Sequence, residues 1–258
     1  MKALAEALTR HRRLAIAVSG GVDSMSLMGF AHRLGSIKVQ AIHAVSPAVP
    51  PAATARVRAR AAAEGWDLVV TGAGEFEDAR YRDNPVDRCY FCKSNLYTRI
   101  RALTVGAIAS GANLDDLGDY RPGLLAAQEQ GVVHPFIEAG MDKAAVRALA
   151  RALGFDEVAE LPAQPCLSSR VETGIAIDAA DLAFVDRVET ALAALGPQGA
   201  TLRCRITHDG VAVELGHDVD RSVEMDRLVE AFCAAEGRRF AGFRAYRRGA
   251  MFVQEPVP

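Results

Sequence analysis

The sequence predicts an α/β protein: an open parallel sheet of about five strands flanked by helices, followed by a smaller C-terminal α+β domain. Three observations lead there. Apolar runs of strand length alternate with helix-period segments through the first two-thirds of the 258 residues. The run at residues 14–19 opens directly into two glycines, and beyond residue 172 the order changes to helix, hairpin, helix and strand.

Residues 14–19, 39–45, 67–71, 107–110 and 132–136 read as the strands. Between them "DSMSLMGFAHRLG", "TARVRARAAAEG", "CKSNLYTRIRALTV" and "MDKAAVRALARALG" read as helices, each stopping at or near a glycine or a β-branched residue. Such a βαβα series builds a parallel sheet covered on both faces, because each crossover helix must return the chain to the same sheet edge. After Gly154 the pattern lapses into "FDEVAELPAQPCLSSRVETG", a loop rich in turn residues. The boundary is expected near residue 172, separating 1–172 from a smaller domain, 173–258, for substrate binding or oligomerisation. That domain reads as a helix at 178–195, a hairpin turning at Asp209-Gly210, a helix at 219–236 and a strand at 240–246.

Half of the residues are apolar, enough for a large core. No apolar run approaches the roughly 18 residues of a membrane span, and Glu6 and Arg10 interrupt the start where a secretory segment would be apolar. A cytoplasmic protein without membrane contact is expected. Basic residues number 30 against 32 acidic, a formal charge of -2, which disfavours a nucleic-acid partner apart from a local patch. Of the 30, 26 are Arg, so an Arg cluster carries less weight than usual. Five cysteines without a signal peptide read as metal ligands, reactive thiols or core filler rather than as a disulfide framework.

"SGGVDS", Ser19 to Ser24, stands where the first strand hands over to a helix, the place where open parallel sheets bind ligands. Gly20 and Gly21 let the backbone turn tightly and offer its amides to an anion, and the helix starting at Val22 adds its positive end. Ser19 and Ser24 add hydroxyls. Asp23 suits Mg²⁺ or a substrate hydroxyl or amine, since a bare carboxylate repels phosphate. The loop holds no lysine, and the chain has neither a Walker pattern nor a Gly-x-Gly-x-x-Gly after its first strand.

Cys89 and Cys92 are three apart in "DRCYFCKSN", and Cys166 lies in "PAQPCLSSRVETG". Two thiolates on one turn can share a metal, and a third from another loop would complete the protein ligation of a 4Fe-4S cluster with one iron open. Zinc would want a fourth ligand, for which His134 is the nearest candidate. Cys204 and Cys233, on a strand and a helix of the second domain, read as core filler. Asp115, Asp116 and Asp119, and likewise Glu138, follow strand ends and suit either Mg²⁺ or a helix cap. Arg170 reads as a fixed cation for phosphate or adenylate, or as a solvated loop residue. Arg203 and Arg205 share one face of a strand, and Arg238, Arg239, Arg244, Arg247 and Arg248 crowd the end, as a solvated face or a phosphate pocket.

"SGGVDS" after an apolar strand resembles the PP-loop of the N-type ATP pyrophosphatases, with their HUP-like sheet. With "RCYFCK", "ANLDDLGDYRPGLLAAQEQGVVHPFIEAGMDKAAVRALARALG" and "CLSSR" in this order, the chain resembles the LarE family of ATP-dependent sulfur transferases, well over residues 10–175 and weakly beyond. The resemblance implies ATP, Mg²⁺ and a homo-oligomer. It also implies pyrophosphate held by Ser19, Gly20, Gly21, Val22, Asp23 and Ser24, with Cys166, Asp23 and Arg170 catalytic. The acceptor would be pyridinium-3,5-biscarboxylate mononucleotide, adenylated on a carboxylate that then receives sulfur from a donor. One branch of the family sacrifices the thiol matching Cys166; the other holds a 4Fe-4S cluster on three cysteines, and Cys89, Cys92 and Cys166 together place this chain with it. Arg203, Arg205 and Arg247 are the expected contacts to the acceptor.

Departures fall on the acceptor side. "VAELPAQP" replaces a Trp-Asp-Lys-Pro stretch, "VETG" stands where a tyrosine follows the arginine, "SGAN" replaces Asp-Gly-Thr-Asn, and "GFRAYRRGAM" loses an acidic residue. A different small acceptor, a nucleobase or another carboxylate, is therefore kept in view. The rivals are a PP-loop RNA thiolase, an amide-forming ligase of the same superfamily, and a zinc- or nucleotide-binding module without turnover.

Overall fold

In a computed structural model the described residues are 1–118, 121–197, 199–247 and 249–251. Asp119 and Arg248, singled out above, lie outside them. The chain divides into two compact units, one of Met1–Asp78 with Asp87–Ala163, the other of Ala79–Val86 with the chain from Gln164 onward. The "CLSSR" segment thus belongs to the second unit, and so does an eight-residue strap from the middle of the first.

The first unit carries α1 (Lys2–Thr9), β1 (Arg13–Ala17), α2 (Val22–Leu34), β2 (Lys38–Val45), α3 (Pro51–Glu64), β3 (Leu68–Gly72), α4 (Arg88–Leu103), β4 (Ala107–Ala109), α5 (Pro122–Glu129) and α6 (Lys143–Ala152). Its sheet is wholly parallel in the order β3-β2-β1-β4. Side-chain alternation on β1 splits the core. Leu14 and Ile16 join Leu4, Met25, Met28 and Phe136 on one face, while Ala15 packs with Ile42, Tyr97, Ile100 and Ile108 on the other. Helix ends follow local chemistry: Pro51 opens α3, and Gly35 and Gly65 close α2 and α3 in the left-handed region.

The expected fifth strand does not form. Within 132–136 only Val133 pairs, in a single parallel bridge to Ala109, and Pro135 then starts the helical turn Pro135–Glu138. Proline has no amide to extend a ladder and suits the first position of a helix, so the run bends away after one bridge.

The second unit holds α7 (Ala179–Ala193), β5 (Leu202–Thr207), β6 (Gly210–Leu215), α8 (Val223–Ala235) and β7 (Phe240–Ala245). The sheet runs β5-β6-β7, with β5/β6 antiparallel and β6/β7 parallel. Leu182, Val185, Val188 and Leu192 of α7 are fully buried. Thr207 pairs with Gly210, so the hairpin turns on His208-Asp209, one residue earlier than expected. The helix expected from 219 begins at Val223, where Ser222 Oγ accepts from the Met225 amide and fixes the start.

Candidate active site

The chain leaves β1 at the switch point of the sheet, with β2 on one side and β4 on the other. Gly20 has φ +85°, and a Cβ there would meet the Ala53 carbonyl oxygen at 2.8 Å, so neither the conformation nor the space admits a side chain. Gly21 caps α2 with its extended backbone, and no side chain caps the first-turn amides. Ser24 Oγ accepts from the Ser19 amide at 3.0 Å and lies 3.2 Å from Ser19 Oγ, curling the loop over the helix start. The result is an amide-lined cradle at the positive end of a 13-residue helix.

Asp23 has partners that the sequence did not suggest. Asn113 Nδ2 donates to its Oδ1 at 3.0 Å, and Lys143 Nζ donates to its Oδ2 at 2.5 Å. Both carboxylate oxygens are engaged, and the second holds an ammonium beside the cradle. Gly111 makes this approach possible, since a Cβ there would come 2.8 Å from the Asp23 carbonyl carbon and the Ser24 amide nitrogen. Lys143 supplies the cation that the loop itself lacks. A signal was present: lysine is rare in a chain so biased to arginine, and this one begins a helix just after a turn.

Behind the loop, His43 is fully buried on β2, with Nδ1 2.8 Å from the Val18 carbonyl and Nε2 2.9 Å from Thr54 Oγ1. Burial holds its pKa below the ordinary value, opposed by the Val18 bond. Arg56 donates to the Gly20 carbonyl at 2.7 Å, so α3 also braces the cradle.

Two other acidic candidates of this unit, Asp116 and Glu138, have structural partners. Asp116 Oδ2 accepts from the Asn113 amide in a capping box, while its Oδ1 pairs with Arg121. Glu138 pairs with Arg10 at 3.1 Å. His134, the possible fourth zinc ligand, has Nδ1 2.8 Å from Ser110 Oγ. Cys89 and Cys92 lie half-buried at the start of α4.

In the second unit Cys166 is exposed and precedes the 3₁₀ turn Leu167–Arg170. Arg170 is buried rather than solvated. Only 3% exposed, it forms a bidentate pair with Glu189 at 2.9 Å and donates to the Pro165 and Cys166 carbonyls at 2.8 and 3.3 Å. Burial pulls its pKa down, but the Glu189 contacts outweigh this and hold it above the ordinary value. Arg205 pairs with the buried Glu214 and donates to the Ser169 carbonyl at 2.9 Å. Two arginine–glutamate pairs therefore fix the backbone that presents Cys166. The strap adds Tyr81, whose hydroxyl bonds Ser168 Oγ, and Asn84, which donates to the Glu172 and Ile175 carbonyls, both at 2.8 Å. Glu189, Glu214, Tyr81 and Asn84 were missed because isolated polar residues in helix, strand and loop carry no motif.

Arg203 is buried and Arg247 exposed. From the arginine crowd Arg238 pairs with Asp181 and Glu236, and Arg244 with Glu214. Cys204 and Cys233 are buried, their thiol pKa values pushed up by desolvation. The three thiols expected to hold a cluster divide between the units, two in the first and one in the second. Among the described residues no three His, Cys, Asp or Glu side chains are grouped to hold a metal ion.

No family model matches the chain. It is 30% identical over 217 residues, 82% of its own length and 78% of the relative's, to the pyridinium-3,5-bisthiocarboxylic acid mononucleotide synthase of Lactiplantibacillus plantarum. The chain belongs to the LarE family. An uncharacterised Synechocystis protein is 38% identical over 188 residues, 71% of the chain and 70% of that relative. Another from Methanocaldococcus jannaschii is 26% identical over 154 residues, 58% and 59% of the two lengths. As a LarE-family member the chain is a sulfur-transferring enzyme, and among its described residues no helix is long and apolar enough to cross a membrane.

Proposed function

We propose that the enzyme is ATP-dependent: it converts a carboxylate of a small molecule to its adenylate and then exchanges the activated oxygen for sulfur. The observation that carries this reading is the Ser19–Ser24 cradle with Lys143 at its edge. In the first step a carboxylate oxygen attacks the α-phosphorus of ATP, and the bond from that phosphorus to the bridging oxygen breaks. Pyrophosphate leaves with the electron pair, its charge received by the first-turn amides of α2 and by Lys143, which exchanges Asp23 for phosphate. Mg²⁺ enters with the nucleotide. In the second step a sulfur nucleophile attacks the acyl carbon and AMP departs with the former carboxylate oxygen, leaving a thiocarboxylate. Activation is needed because a free carboxylate is a poor electrophile, whereas AMP is a competent leaving group.

The relative's name describes a mononucleotide carrying two thiocarboxylates. Pyridinium-3,5-biscarboxylate mononucleotide is therefore the first acceptor to try, with the exposed Arg247 as the direct contact and the buried Arg203 and Arg205 behind it. Cys166 is the thiol we assign to sulfur transfer, on a turn whose carbonyls Arg170 and Arg205 hold. Homo-oligomeric assembly is part of the same reading, checked by light scattering.

The test is incubation with MgATP and the acceptor, followed by assays for AMP, pyrophosphate and thiocarboxylate. Equal amounts of all three are expected, and ADP with phosphate would end the proposal. Mass spectrometry and iron analysis of anaerobically purified enzyme identify the donor. Loss of one H₂S from Cys166 marks a sacrificial thiol, whereas bound iron with an intact Cys166 marks a cluster-borne sulfide.

A further inference from the structure

The end of the first unit's sheet away from the cradle is a basic hollow. Arg13 begins β1, Lys38 begins β2 and Ala107 begins β4, and at these amino ends lies an open cavity of about 860 Å³. Arg10, His11, Arg12, Arg13 and Lys38 line it, and no acidic side chain does. Arg10 is matched by Glu138. Among the described residues the side chains of His11, Arg12, Arg13 and Lys38 make no hydrogen bond or ion pair.

The fold forces these charges together. Arg13 and Lys38 are direct partners in the parallel ladder, and the Lys38 amide donates to the Arg12 carbonyl at 3.2 Å. Like charges set opposite each other destabilise a sheet, and a concave surface concentrates their field. Arginine bias accounts for arginines but not for Lys38, one of few lysines in a chain with formal charge -2. Gly106 forms part of the wall, where a Cβ would meet the Arg13 carbonyl oxygen at 2.9 Å. Val105, 89% exposed, adds an apolar flank.

We propose that this hollow is a second anion site, separate from the cradle by the length of β1, about 15 Å, and that it takes a small compound bearing several phosphate charges. Guanidinium forks and an ammonium match phosphate oxygens, and the volume lies in the range of small-ligand sites, roughly 300–1,000 Å³. A polynucleotide would instead require a basic track extending beyond one hollow.

Titration of the full chain with inorganic tripolyphosphate tests this, using calorimetry together with the imidazole resonances of His11. Binding at the hollow is expected, in addition to any at the cradle. The double variant Arg12→Ala/Lys38→Ala should weaken binding at the hollow by about tenfold or more and leave AMP release unchanged. His11 should shift in the wild type and stay still in the variant. A His11 signal unmoved by tripolyphosphate, or equal stoichiometry and affinity in the two proteins, overturns the proposal; retention of RNA without tripolyphosphate binding overturns it in favour of a nucleic-acid surface. Because His11 reports only on this hollow, the outcome does not depend on whether the cradle binds ATP.

Discussion

Lys143 Nζ stands 2.5 Å from Asp23 Oδ2, joining a helix 120 residues downstream to the first turn of α2. The ammonium is partly exposed and held by a carboxylate that phosphate can replace. Lys143→Met should lower the rate of AMP release by about 10²–10³, the usual cost of losing one charge-stabilising group. Lys143→Arg should recover only part of it, since a planar fork does not reproduce a compact ammonium. Unfolding midpoints should barely move in either variant; a large drop would show that Lys143 serves the fold alone.

Gly20 tests the cradle from the backbone side. Gly20→Ala adds about 1–3 kcal/mol of strain at φ +85° and drives a methyl against the Ala53 carbonyl. The chain should still fold, but the loop must reshape. Wild type should gain thermal stability with ATP by mass action, whereas the variant should show no ATP-dependent shift.

The sheet and its loop were legible because strand and helix periods differ and because the Ser19–Ser24 motif is local. What escaped is what folding joins over long separations. Lys143 meets Asp23 across 120 residues and Arg170 meets Glu189 across 19, and no periodicity encodes either pair. The fifth strand was misjudged because its apolar content outweighed Pro135, although the missing amide decides against a ladder there. Arg170 read either as a cation for phosphate or as a solvated loop residue, because charge is visible in a sequence while burial beside a particular carboxylate, which rules out the solvated loop, is not.

Glu189 is expected to act through Arg170. Glu189→Ala leaves a guanidinium buried without its partner, costing about 3–5 kcal/mol, with Cys204's amide also losing its acceptor. Glu189→Gln keeps the shape and should cost less. Replacing both charges, Arg170→Met with Glu189→Leu, should recover much of the stability in urea yet change the alkylation rate of Cys166, because the Pro165 and Cys166 carbonyls lose their donor. An unchanged alkylation rate would assign the pair to stability only.

Two histidines set a pH dependence. Burial depresses the pKa of His43, and it depresses that of His134 against the pull of Glu138 and Asp116. The unfolded chain therefore takes up protons first as pH falls. Stability should be full above the ordinary histidine value of about 6.5 and decline as pH drops below it toward the folded-state values. Urea midpoints across roughly pH 8 to 5 should show this decline, and His43→Asn should flatten its share. Stability rising on acidification would mean that burial is not the dominant influence on these groups.

Asn84 offers the sharpest separation of backbone from side-chain effects. Its φ of 54° is left-handed, a region asparagine tolerates better than most residues, and its fully buried amide holds two carbonyls of the loop that follows Cys166. Asn84→Ala loses both bonds and strains the backbone, a combined cost of about 3 kcal/mol. Asn84→Gly loses the same bonds but relieves the strain, so it should be the more stable of the two by about 1 kcal/mol. Both should expose residues 172–177 to protease, because the strap no longer grips them. If glycine and alanine prove equally destabilising, the left-handed turn carries no cost and the hydrogen bonds alone secure the loop; if neither variant is cut faster, the strap does not restrain that loop.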